Sequence, residues 1–215
     1  MKLGELKIEA LMMIFPGTEL MVDYENDDEL RDKMSQLNED SNYNDLLASM
    51  PGAINRCFAS LESKGIVPVK SYDLNLKKAK ARGQRLLFDL SEIEDLGKIE
   101  RIACYGEYHD KDRCDYAHET DTTILLDAPC TGQYVVIYRP VLPRIAMVTD
   151  DAKEINLPRD VLDLIPYFIK SELIRGENES EAAHARNVYE QMAAQIEFKR
   201  GGYQAKVESI YEVPQ

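Results

Sequence analysis

Four cysteines and three histidines are the residues of this 215-residue chain best suited to hold a metal or attack a carbonyl carbon. Five of them fall together, as Cys104, His109, Cys114, His118 and Cys130. Thiolate and imidazole are zinc ligands, and four could close a tetrahedron. The spacing argues against it. Structural zinc sites use tight C-x-x-C or H-x(3–5)-H pairs, whose short loops preorganise the ligands. Here the gaps between the first four run four, four and three residues across expected strands and turns. Cys104 reads as a core residue, and His109 and His118 as exposed loop residues. A cysteine–histidine nucleophilic pair needs an activated thiol, and no neighbouring residues mark one.

Carboxylate pairs such as Asp27-Asp28 and Asp150-Asp151 follow from an acidic composition and read as solvated turns. No G-x-G-x-x-G, Walker, G-x-S-x-G or H-E-x-x-H motif occurs. Tyr105, Tyr108, Tyr116, Tyr134 and Tyr138 could form a stacking platform for sugars, although strand tyrosines more commonly pack with a wet hydroxyl. The expectation is therefore no enzyme, no cofactor and no metal. All four cysteines, Cys57 included, read as reduced thiols made in a cytosol.

The formal net charge is −13 at pH 7. Affinity for nucleic acid comes mainly from Lys and Arg neutralising phosphates, so a sequence-reading DNA or RNA binder is disfavoured. Met1 to Glu5 carries charge early and does not read as a signal peptide. No apolar run approaches the ~20 residues a membrane span needs, so no membrane role is expected.

The elements that would position these groups separate by pattern into α+β. Residues 1–64 and 153–200 read as helical, residues 65–152 as β-rich, and residues 201–215 as an extended C-terminal tail. Leu3, Leu6, Ala10 and Met13 fall at helical spacing, with Ile8, Leu11 and Phe15 beside them. Pro16-Gly17 stops that helix, and residues 27–34 suit a short exposed one. Tyr43, Leu47, Met50, Ile54, Cys57 and Leu61 form a second stripe, with a kink or helix junction expected at Pro51 and a stop at Gly65.

Residues 85–90, 99–108, 122–126 and 132–138 read as strands between turn clusters, which suggests a small antiparallel sandwich. Val161 to Leu173 forms an apolar helical face with an expected kink at Pro166. Asn178 with Glu181 resembles a capping box that starts the next helix. The end segments are expected to pack as one helical bundle carrying the β-sandwich as an insertion.

Charge is uneven along the chain. Asp27, Asp28 and Glu29 sit in an acidic stretch, while Lys77, Lys78, Lys80 and Arg82 sit in a basic one. Opposite patches on one subunit suit head-to-tail contacts in a ring. The plainer reading is two solvated loops.

Three stretches carry a resemblance. They are Met50-Pro51-Gly52-Ala53-Ile54-Asn55-Arg56 followed by Ile66-Val67-Pro68; Tyr105-Gly106-Glu107-Tyr108 leading to the strand at 122–126 and to Gly132-Gln133-Tyr134; and Leu157-Pro158 through Leu164-Ile165-Pro166-Tyr167-Phe168 to Leu173, then Glu181 to Glu190. The chain is similar over most of its length to the head–tail adaptor (connector or head-completion) proteins of tailed bacteriophages. The basic run at 75–85 does not fit the pattern.

The resemblance implies helices carrying a β-rich insertion and a homo-oligomeric ring, usually of twelve subunits, in the virion neck. Its partners would be the portal protein above and a stopper or tail-completion protein below. Genomic DNA would pass through the lumen without specific binding, along an acidic wall that does not hold it. No catalytic residues come with the resemblance. The tail, through Tyr203, Val207, Ile210, Tyr211 and Val213, is expected to add to the portal's sheet or groove. The alternative is a β-sandwich virion module that binds a receptor or carbohydrate. A third reading, a zinc or thiol enzyme, would require bound metal or an unusually reactive thiol.

Overall fold

A computed structural model describes residues 1–17, 20, 24–105, 111–127 and 133–209, without the side chains of 111–113 and 197–209. The fold mixes α and β and divides into two units. One comprises residues 1–66 and 144–215, the other residues 67–143.

The first unit is helical. Helix α1 (Leu3–Ile14) buries Leu3, Leu6, Ile8, Ala10 and Leu11 completely. Its N-terminus is tied to a later segment: Leu3 N–H donates to the Lys153 carbonyl (2.9 Å) and Gly4 N–H to that of Asp151 (2.8 Å). Helix α2 (Asp27–Glu39) is longer than expected and is not simply exposed, because Leu30, Met34 and Leu37 are buried. Asn26 caps it by accepting from the N–H groups of Asp28 and Glu29, and three acids in the first turn suit the positive end of the helix dipole.

Helix α3 (Asn44–Ser63) runs unbroken through Pro51, so no helix junction forms there. Burial of Leu47, Met50, Ala53, Ile54, Cys57, Phe58 and Leu61 along one face holds the turn that proline would otherwise open. Gly65 then ends it at φ +66°, with Ile66 N–H returning to the Leu61 carbonyl at 3.0 Å.

After residue 143 the chain rejoins this unit through an irregular stretch and is helical again from Arg159. Pro158 precedes the single turn α4 (Arg159–Leu162), and α5 (Ile165–Leu173) starts afresh with Pro166 in its first turn. The apolar run is thus two helices and not one kinked helix. Proline lacks the N–H an interior position needs but fits the first turn, where that N–H would have no partner. Asn178 accepts from Glu181 N–H at 3.1 Å and starts α6 (Glu179–Ser209). Helix α6 continues through Gly201-Gly202, which corrects the expected extended tail over 201–209.

The second unit is β. Strands β1 (Lys70–Leu74), β8 (Gln133–Pro140), β4 (Leu96–Tyr105) and β5 (Lys111–Arg113) form one four-stranded sheet in that order. Strands β2 (Lys80–Arg82), β3 (Arg85–Asp89), β7 (Thr123–Asp127) and β6 (Tyr116–His118) form another. Every pairing is antiparallel. The sheets share one apolar cluster, which includes Leu74, Phe88, Ile102, Ile124, Leu126, Tyr134 and Val136. The segment Ile66 to Val69 is irregular, and β1 begins one residue later.

Candidate interaction site

Chemistry-bearing side chains are dispersed by this fold. Cys104 lies buried on β4 and is disulfide-bonded, which corrects the reading of all four cysteines as reduced thiols. Cys114 is a buried thiol just after β5. Cys57 is a buried thiol on α3, and burial pushes its ionisation far above the ordinary range. His118 is exposed on β6, edge-on to Tyr116 at 5.5 Å. His109 and Cys130 lie outside the described residues. Among the described residues no group of three or more His, Cys, Asp or Glu is placed to hold a metal.

The tyrosines do not gather on a surface. Tyr134 is fully buried against Phe88, and Tyr138 is buried with its hydroxyl donating to Asp95 at 2.9 Å. Burial and that carboxylate push the Tyr138 phenol up to about 12. Burial opposes ionisation of Asp95 as well, but Lys70 at 2.5 Å and the Tyr138 hydroxyl outweigh it and hold the carboxyl low. Tyr116 is half-buried and donates to the Ile99 carbonyl (3.3 Å). Tyr108 lies outside the described residues. The alternation of β8 turns its tyrosines inward.

The two charged patches expected at subunit contacts fall in different units. On α2, Asp27 pairs with Lys2 at 2.6 Å and Asp28 with Arg31 at 2.7 Å, while Glu29 accepts from Glu25 N–H and the Asn26 amide. Arg31 also grips Asp150 with two hydrogen bonds, at 2.9 and 2.7 Å. That fork holds the Asp150 carboxyl down to about 2.

In the β unit, Lys77 and Lys78 sit on a short 3₁₀ turn, and Lys80 and Arg82 lie on the exposed edge strand β2. Lys78 pairs with Glu92 at 2.5 Å, and Tyr72 donates to the same carboxylate at 3.1 Å. Arg82 pairs with Glu119. Among the described residues Lys77 and Lys80 make no ion pair. Much of each patch is therefore compensated locally. What remains is charge on an edge strand, which discourages unwanted strand addition.

Of the tail residues, Tyr203 and Val207 fall on the helical backbone of α6. Ile210, Tyr211 and Val213 lie outside the described residues.

Sequence reasoning missed two features of the helical unit. Arg186 on α6 stacks on Phe168 and Tyr189, with its guanidinium carbon 4.4 and 5.3 Å from the ring centroids. It also reaches Glu190 (3.2 Å) and Glu172 (3.7 Å), and Glu172 is itself held by Arg56 at 2.8 Å. The i, i+4 spacing of Arg186 and Glu190 was a legible signal for part of this cluster. The second is the turn at 146–149, which presents Met147 and Val148 to solvent.

No helix of the described residues is long and apolar enough to cross a membrane. No protein-family model matches the chain, and no curated protein matches it.

Proposed function

We propose that this chain is a structural virion protein, a head–tail adaptor ring subunit that docks on the portal, extends the DNA channel and offers a platform to the stopper or tail. In this reading a helical bundle from both chain ends carries the β-sandwich, and genomic DNA passes the ring without specific binding.

One observation carries the reading. The two ends of the chain build one helical unit, and residues 67–143 form a separate β unit between them in sequence, as the resemblance implies. The third stretch of resemblance, from Leu157 to Glu190, lies in the helical unit as α4, α5 and the start of α6. Its apolar residues Val161, Leu164, Ile165, Phe168, Ile169, Ala182, Ala185 and Tyr189 are buried. This stretch is thus a scaffold that holds surfaces in place. The acidic balance of the chain supports a wall that repels DNA.

Negative-stain microscopy of purified protein, with and without portal rings, tests the reading. Added density of matching rotational symmetry on the portal is expected. A chain that stays a lone particle beside undecorated portals at high concentration would remove it.

A further inference from the structure

The ring reading makes no use of the recess between α5 and α6. On α6, Glu179, Ala182, Ala183 and Arg186 fall at i, i+3, i+4 and i+7, so they share one helical face. With Ser171 and Glu172 on α5, and Arg175 just after it, they surround a space of about 370 Å³. The side chains of Ser171, Ala182 and Ala183 are too short to fill it. A space of that size takes a small molecule.

Arg186 is held in place there but is not saturated. Its guanidinium lies over the Phe168 and Tyr189 rings, and its Nε donates to Glu190 at 3.2 Å. Its Nη1 stands 3.7 Å from the Glu172 carboxylate, beyond hydrogen-bond reach. Among the described residues neither Nη atom makes a hydrogen bond. A guanidinium carries five N–H donors, and only one is spent here. The two carboxylates it approaches are each held by a second cation, Glu172 by Arg56 at 2.8 Å and Glu190 by Lys64 at 2.7 Å. Arg175 is exposed at the recess and, among the described residues, makes no ion pair.

Charge and shape then set the ligand. The lining carries Arg175 and Arg186 against Glu172 and Glu179, and Arg56 offsets Glu172 from outside it. The positive charge left over matches a monoanion, whereas a dianion would be repelled by Glu179. A planar carboxylate fits the guanidinium fork with two parallel N–H···O bonds. The methyl groups of Ala182 and Ala183 offer an apolar wall to the rest of the molecule. Stacking already fixes Arg186, so binding costs little of its rotamer freedom.

We infer that the recess between α5 and α6 is a binding site for a small monocarboxylate, its carboxylate held by Arg186 and Arg175 and its short apolar tail against Ala182 and Ala183. The site stands independently of ring assembly.

NMR titration of the full-length, nitrogen-15-labelled chain with sodium butyrate tests it, read on the arginine Nε–H signals. Sodium chloride at matched ionic strength is the reference. A chain of formal net charge −13 disfavours diffuse anion uptake, so a saturable response marks a site. Saturable shifts of Arg186 and Arg175 with butyrate, and none with chloride, are expected. Arg175→Gln changes an exposed residue in a turn and should weaken binding about tenfold. Ala183→Leu fills the recess from an exposed position and should abolish binding, while its melting temperature stays near the parent's. Succinate and inorganic phosphate should bind more weakly than butyrate. Shifts that fail to saturate, that chloride reproduces, or that keep the parent affinity in Arg175→Gln or a folded Ala183→Leu chain overturn the inference. Tighter binding of succinate or phosphate overturns the assignment to monocarboxylates.

Discussion

The guanidinium of Arg186 lies over the ring of Phe168, its central carbon 4.4 Å from the ring centroid. That relationship joins α6 to α5. It also draws in Glu172 and Glu190, and through them Arg56 on α3 and Lys64 just past its end. Three helices are thus clasped by one planar cation.

Replacing Arg186 should therefore cost more than an exposed ion pair does. Arg186→Ala is expected to lower the unfolding free energy by about 1–2 kcal/mol, from lost stacking and lost cover over the Phe168 ring. Arg186→Lys keeps the charge but loses the planar face, and should recover less than half of that. Urea unfolding of the three proteins measures it. Equal stability of the lysine variant and the parent would refute the stacking argument.

Lys7 is only 5% exposed and pairs with Asp151 at 2.7 Å. Asp151→Ala strands a buried ammonium and is expected to destabilise by about 3–5 kcal/mol. Adding Lys7→Met to that variant removes the stranded charge and should restore most of the loss. Thermal melts of both give the sign, and a double variant no more stable than Asp151→Ala would contradict the account.

Gly97 sits where β4 slips register against β8. A Cβ there would stand 2.3 Å from the Arg139 carbonyl oxygen, on backbone that cannot swing away. Gly97→Ala should cost about 1–3 kcal/mol by overpacking. Gly176→Ala meets nothing within 4 Å and serves as the neutral comparison. Denaturant midpoints for the two substitutions should differ clearly.

Asp150 titrates near 2 in the folded chain because Arg31 and the Ala152 N–H hold its charged form. A folded value below the ordinary carboxylate value of 3.8 gives stability that is full above about pH 5 and lost as pH falls toward 2. The stability gap between the parent and Arg31→Gln should therefore narrow between pH 5 and pH 2. At the other extreme, burial pushes the phenols of Tyr138 and Tyr189 up to about 12. Their contribution is present below pH 10 and lost above it. Ultraviolet titration should show Tyr138 and Tyr189 among the tyrosines that ionise late, together with unfolding.

Cys104 is disulfide-bonded, whereas Cys57 and Cys114 are buried thiols. Alkylating the denatured chain without reductant should label Cys57 and Cys114 and leave Cys104 unlabelled until reductant is added. Peptide mass mapping reads this directly, and early labelling of Cys104 would show that the bond does not form.

The amino-acid sequence by itself determined the elements that repeat along the chain. The apolar stripe of α1, the β-branched runs of β7 and β8, the Gly65 stop and the Asn178 cap are local patterns. Each is written within a few neighbouring residues and needs no distant partner. Tertiary structure decided what depends on residues far apart in the chain. Strands β2, β5 and β6 are three residues each, too short to show alternation, and exist because a neighbour pairs with them. Pro51 stays inside a helix because burial along one face outweighs its missing N–H, while Pro166 starts a helix. Arg186 finds its aromatic faces, Cys104 is bonded, and Met147 and Val148 are held out to solvent by Asn55, ninety residues away from Ile145 in sequence. Packing energy is summed over contacts that only the folded chain brings together, so these features have no local signature to read.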